Sequence, residues 1–150
     1  MARLTSSDSA CQTHPLLKDA EEICRRQRPE FLINHCYRTF VWASLLAAHE
    51  GRSYDEEMLY IASLLHDTGL SATASPSVPP TCFTLVGVDQ VPACATASDV
   101  AADRWRRAAE AITLHMNLRV TPNDGVEAYL LTFGTQLDAI GAGYRISSFA

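Results

Sequence analysis

Residues 54–69 read YDEEMLYIASLLHDTG. Asp55, Glu56 and Glu57 place acids in a first turn, where the helix dipole favours negative charge. From Met58 to Leu65 the side chains are apolar almost all round, so a helix over 54–66 is central and buried. Gly69 is a natural stop. The run ends in His66 and Asp67, adjacent at the buried end of the helix. Two ionisable groups in that position are costly without partners. They either cap the helix or belong to a polar site, since buried polar groups find partners.

Upstream, residues 30–49 (EFLINHCYRTFVWASLLAAH) form the clearest helix. Leu32, Cys36, Phe40, Ala43 and Ala47 recur at helical spacing, with Gly51 as the stop. A short amphipathic helix precedes it over 16–28, with Leu16, Leu17, Ala20 and Cys24 about a turn apart. Residues 1–15 read as a flexible N-terminal arm. Downstream, 71–82 (SATASPSVPPTC) is a Pro- and Ser-rich loop. A short helix is expected within 87–97, with Pro92 near its start. Ser98-Asp99 is expected to cap a helix over 100–117, with Trp105, Ala109, Ile112 and Met116 on one face. After a turn at Pro122-Asn123-Asp124, a last helix spans 125–140. The expectation is an all-α, compact helical bundle over 16–150, without sheet or repeats.

The chain has 150 residues, which suits one domain. Apolar residues make up 47% and charged residues 19%, a globular balance. The formal net charge is -5 and no basic run occurs, which argues against a nucleic-acid polymer as partner. No apolar stretch is long enough for a membrane span. The five cysteines are odd in number and lack a C-x-x-C pair, so reduced thiols in a cytoplasmic protein are expected. A homo-oligomer stays open.

Chemistry gathers on three helices. His35 lies inside the otherwise apolar helix 30–49, where it is either a satisfied core histidine or a ligand. Asp138 sits late in the helix 125–140, between Leu137 and Ile140. With His66 and Asp67 they place two imidazoles and two carboxylates on helices that can face one another, a recurrent way to build a metal site in a bundle. The mixed N/O set suits Zn, Mn, Fe or Co better than Ca or Cu. Arg38, one turn after His35, could meet an anionic or carbonyl-like substrate group, or pair with a neighbouring acid. His115 could reach the substrate, ligate a second metal, or sit at the core edge.

N-H-C-Y-R at 34–38, L-L-H-D-T-G at 64–69 and Asp138 in a late helix resemble the HD superfamily of metal-dependent phosphohydrolases. Phe83, Gly87 and E-A-I-T-L-H at 110–115 resemble its cyanamide-hydratase-like branch. The resemblance implies an HD-type bundle with one divalent ion (Zn, Fe, Mn or Co) on His35, His66, Asp67 and Asp138. Asp67, His115 and Arg38 are the candidate catalytic residues, and residues 71–82 are a candidate lid. The implied reaction is metal-assisted addition of water to a small molecule, either a phosphate ester or nucleotide, or a nitrile-like compound. The segment Gly69-Leu70-Ser71-Ala72 has no carboxylate where many nucleotidase members carry an acid. The chain also ends soon after Asp138, which reads as a C-terminally shortened member or a fragment. The alternative is a non-catalytic metal-binding or interaction module derived from the same fold.

Overall fold

The computed structural model describes residues 15–26, 29–70, 82–95 and 101–141. Among them are six α-helices and no strand: α1 (Pro15–Arg26), α2 (Glu30–Glu50), α3 (Glu56–Leu65), α4 (Phe83–Ala95), α5 (Ala102–Leu114) and α6 (Val126–Ile140). Short 3-10 turns lie at Thr68–Leu70 and Pro122–Asp124. The arm at 1–14, most of the loop at 71–82 and the Ser98-Asp99 cap fall outside the described residues.

The apolar run of α3 dictates the architecture. Met58, Leu59, Ile61, Ala62, Leu64 and Leu65 are all fully buried. A helix apolar on every side has to be surrounded, and α3 packs against all five other helices. Each such Leu or Ile contributes about 2 kcal/mol of transfer free energy.

α2 and α6 run antiparallel beside it. Tyr129 donates to Glu50 at one end (2.8 Å), and His35 meets Asp138 at the other (2.6 Å). Between these points the backbones nearly touch. A Cβ built on Gly134 falls 2.3 Å from the Thr39 carbonyl oxygen. Both helices stop at glycines with left-handed backbone, Gly51 (φ 62°) and Gly141 (φ 59°), as the C-terminal glycine rule requires.

Two elements differ from the sequence reading. α4 starts at Phe83 and runs through Pro92 to Ala95, so the proline lies near its end. A proline near the end of a helix removes only one backbone donor. α5 stops at Leu114, which leaves Met116 in the following turn and 59% exposed. Its buried face is Trp105, Ala108, Ala111 and Ile112.

An ion-pair knot ties the start of α3 to α5 and α6. Asp55 caps α3 by accepting from the Met58 amide (3.3 Å). Its carboxylate takes two bonds from Arg104 (2.6 and 2.8 Å), which also reaches Glu57 (2.7 Å). The Asp55 amide donates to Glu127 (2.8 Å). Arg104 holds the Asp55 carboxyl below its ordinary pKa. Its stabilisation is therefore complete above the unfolded value, about 4, and drains away as pH falls below that. Asp55→Asn keeps a capping oxygen but loses the ion pair. The stability gap between wild type and Asp55→Asn should be widest at neutral pH and close in acid. Urea melts across pH would test this, and a gap that widens on acidification would refute it.

Candidate metal centre

His66 is the C-cap residue of α3, and its backbone is still helical. The last carbonyls of a helix have no partner within it. His66 exploits this: its Nδ1 lies 2.9 Å from the Ser63 carbonyl oxygen. A carbonyl only accepts, so Nδ1 carries the proton and the neutral ring presents a bare Nε2 lone pair. His115 repeats the device at the C-cap of α5, with Nδ1 2.6 Å from the Ile112 carbonyl oxygen. His35 lies inside α2, and its Nδ1 donates instead to the Asp138 carboxylate (2.6 Å).

The Nε2 atoms of His35 and His66 face each other at 3.3 Å. Asp67 Oδ2 lies 3.3 Å from His66 Nε2 and 3.6 Å from His35 Nε2. One donor atom from each of His35, His66 and Asp67 thus falls within 4.8 Å of the others. His115 Nε2 is 3.7 Å from the other Asp67 oxygen, Oδ1. That nitrogen is buried and has no hydrogen-bond partner. The His115 ring stands edge-on to His66 (centroids 4.9 Å) and to Phe83 (5.8 Å).

Burial pushes the His66 pKa down, so the ring is neutral. Burial pushes the Asp67 carboxyl up, but His115 and His66 together outweigh it and hold the group well below the ordinary carboxylate range. The centre is therefore an ionised carboxylate beside imidazole nitrogens, with His66, Asp67 and His115 all buried. Two lone pairs at 3.3 Å repel unless a proton or a cation stands between them. This donor chemistry fits a divalent ion.

Two glycines set the cluster against α4. A Cβ on Gly69 would fall 2.4 Å from the Phe83 carbonyl oxygen, and one on Gly87 2.6 Å from that of Leu65. α3 ends at Leu65 and Gly69 lies in the following Thr68–Leu70 turn, so it serves close approach rather than the helix termination expected of it. The Thr68 hydroxyl, 2.8 Å from the Leu65 carbonyl, braces the same turn.

Of the expected ligands, His35, His66 and Asp67 bring donor atoms together, and Asp138 adjoins them through the His35 ring (Nδ1–Oδ2 2.6 Å). Asp138 sits on the Nδ1 side of the His35 ring, and its carboxylate is engaged by Arg38 (Nε–Oδ1 2.6 Å, Nη2–Oδ2 3.0 Å). Burial raises the Asp138 pKa, while Arg38 and His35 outweigh it and keep the group ionised. Arg38, expected to face substrate, has the Nε edge of its guanidinium committed to that pair. The sequence reading gives no role at the site to Ser63 and Ile112, whose carbonyls orient two of the rings. Each lies three residues before a histidine that follows a helix end, and that spacing was the available signal. Glu110 is exposed and pairs with Arg106 at 3.7 Å. An open groove of about 820 Å³, lined by Asp55, Glu57, Arg104 and Glu127 among others, shares no residue with the cluster. No helix among the described residues is long and apolar enough to cross a membrane.

No curated protein matches the chain significantly. The family model of the HD domain matches residues 32–132, a span that holds His35, His66, Asp67 and His115. Members of that all-α family bind divalent metals and are generally hydrolytic. With two thirds of its length matched and a His-His-Asp cluster at the paired His66-Asp67, the chain belongs to the HD domain family.

Proposed function

We propose that this protein is a metal-dependent hydrolase or hydratase that adds water to a small molecule, with one divalent ion on His35, His66 and Asp67. The observation that carries the reading is the convergence of the Nε2 atoms of His35 and His66 with the Asp67 carboxylate, His66 and Asp67 being buried. A divalent ion held there supplies a Lewis acid and lowers the pKa of coordinated water. The residues do the rest. His66 and His35 are locked in the tautomer that ligates. Asp67 turns Oδ2 toward them and leaves Oδ1 toward His115. Oδ1 and His115 Nε2 are then the two groups that can hold or pass a proton of the attacking water.

A small uncharged substrate of the nitrile type suits the site better than a phosphate ester. Arg38 spends the Nε–Nη2 edge of its guanidinium on Asp138, so only the other end of the group is left to meet a phosphate. Thr68-Gly69-Leu70 also brings no carboxylate to the turn after Asp67. Phosphate-ester or nucleotide hydrolysis remains the second reading, because the family is generally hydrolytic.

Metal analysis of the purified protein, followed by phosphatase and nitrile screens, tests the proposal. One equivalent of Zn, Mn, Fe or Co is expected, with loss of the ion in His66→Ala. His115→Ala should lower turnover more than metal content; an equal fall in both would make His115 a ligand. A chain that takes up none of these metals would sink the proposal. Full loading without turnover of any ester or nitrile would favour the non-catalytic module.

A further inference from the structure

α2 carries more apolar side chain than the fold covers. From Phe40 to Ala48 it has no charge, and Ser44 is the only polar residue. A helix apolar on all sides has to be surrounded, as α3 is. α2 is covered on one side only, where Cys36, Thr39, Ala43, Leu46 and Ala47 are buried and the helix packs against α6 and α3. On the other side Phe31 is 68% exposed, and Val41 and Leu45 are each 52% exposed. The other large apolar side chains exposed among the described residues, Leu70, Leu85, Met116, Leu118 and Ile140, stand in turns or near helix ends, as scattered surface hydrophobics ordinarily do. Those of α2 are ordered. From position 31 to position 48 its exposed residues are Phe31, Asn34, Arg38, Val41, Leu45 and Ala48, at alternating steps of three and four. That alternation is the seam of a coiled coil, which another helix fills.

We infer that a second copy of this chain covers this seam, its α2 packed antiparallel to the first. The face is self-complementary, as a twofold dimer requires. A twofold axis between Arg38 and Val41 sets Phe31 against Ala48, Asn34 against Leu45 and Arg38 against Val41, each pairing made twice. The bulkiest apolar side chain of the seam thereby meets the smallest, and Glu30 comes beside His49 of the second copy. A parallel pair would set Phe31 on Phe31, Glu30 on Glu30 and Arg38 on Arg38, with like charges stacked. The only charge in the seam is already answered within its own chain, because Arg38 gives two bonds to Asp138 (2.6 and 3.0 Å). Its stem can therefore be covered without stranding a bare cation. Polar seam positions such as Asn34 and Arg38 fix register at a cost in stability, while Phe31, Val41 and Leu45 supply the apolar contact. The contact needs no bound ion and is independent of the proposed reaction.

Sedimentation velocity of the full chain over a concentration series tests the proposal. Wild type is expected to pass from monomer to dimer as concentration rises. Leu45→Glu sets an acid against Asn34 of the second copy. It should weaken self-association at least about 100-fold, tenfold for each Leu45 lost from the seam. Leu45 is half exposed in the single chain, so the variant should keep its helical circular dichroism and its Tm. Val41→Lys sets a lysine against Arg38 of the second copy and should weaken the dimer too, which gives a second reading if Leu45→Glu fails to fold. Orientation has its own readout. Asn34→Lys added to Leu45→Glu should restore the dimer, because an antiparallel seam then carries two Lys–Glu pairs between the copies. A parallel seam would gain only like-charge contacts. A wild type that stays monomeric throughout the series overturns the proposal and leaves the face to residues 142–150 of the same chain or to another protein. A dimer that survives both Leu45→Glu and Val41→Lys overturns it as well, since the copies then meet elsewhere. A double variant that folds but stays monomeric overturns the antiparallel pairing.

Discussion

Asp67→Asn is expected to keep the metal and lose turnover by about 10²–10⁴-fold, the usual worth of general-base assistance. Asp67 divides its two oxygens between two tasks. Oδ2 lies 3.3 Å from His66 Nε2 and 3.6 Å from His35 Nε2, and Oδ1 lies 3.7 Å from His115 Nε2. An asparagine can reproduce the shape. Its carbonyl oxygen can sit where Oδ2 sits, and its NH₂ can donate to the His115 nitrogen that otherwise has no partner. The variant should therefore fold and still bind the ion, though more weakly for want of the negative charge. What it cannot do is accept a proton. Turnover should stay low under saturating metal, whichever substrate the screen identifies. If excess metal restores full activity, Asp67 is a ligand only, and His115 becomes the group that handles the proton.

The parts of this fold that sequence made legible are those where burial writes a pattern. α3 announces itself by being apolar all round, and α2 and α6 by apolar repeats ended by glycine. The parts that were misread lack such a pattern. α4 has apolar and small residues on every side and a proline near its end, so its period is weak and Pro92 looked like a start. α5 ends at Leu114, about a turn earlier than its helix-forming residues suggest, and His115 turns its ring back onto the Ile112 carbonyl at that end. The centre divides the same way. His66-Asp67 stands out because adjacent ionisable groups at the end of an apolar run demand partners. Asp138 enters the expected ligand set through its residue type and through the family resemblance. Its contact with His35 depends on the crossing of α2 and α6, which local sequence does not show. The glycines teach a related point. Gly69 reads as a helix stop, yet what it provides at the site is room for the Phe83 backbone.

Gly134→Ala should destabilise the protein although it improves the helix propensity of α6. In an exposed helix the exchange would gain about 1 kcal/mol. Here the new methyl would lie 2.3 Å from the Thr39 carbonyl oxygen, 3.1 Å from its carbon and 3.3 Å from the Ala43 Cβ. Two of these neighbours belong to helix backbone, so no rotamer change relieves the overlap. α2 and α6 must move apart along the face where Thr39 and Ala43 meet Gly134. Overpacking of this kind costs about 1–3 kcal/mol, occasionally more. A contact this close to main chain belongs at the upper end, which leaves a net loss of about 2 kcal/mol after the propensity gain. For a chain of this size that is a fall in Tm of roughly 4–8 °C. The same separation acts on the metal centre, because His35 and Arg38 are on α2 and their carboxylate partner Asp138 is on α6. Metal affinity should therefore fall along with stability, even though Gly134 touches no ligand. Core substitutions remote from this crossing, such as Ala20→Gly in α1, should lower Tm without that loss of affinity. A Gly134→Ala protein as stable as wild type, with undiminished metal affinity, would show that the two helices can separate freely and that their close approach does not hold the site in place.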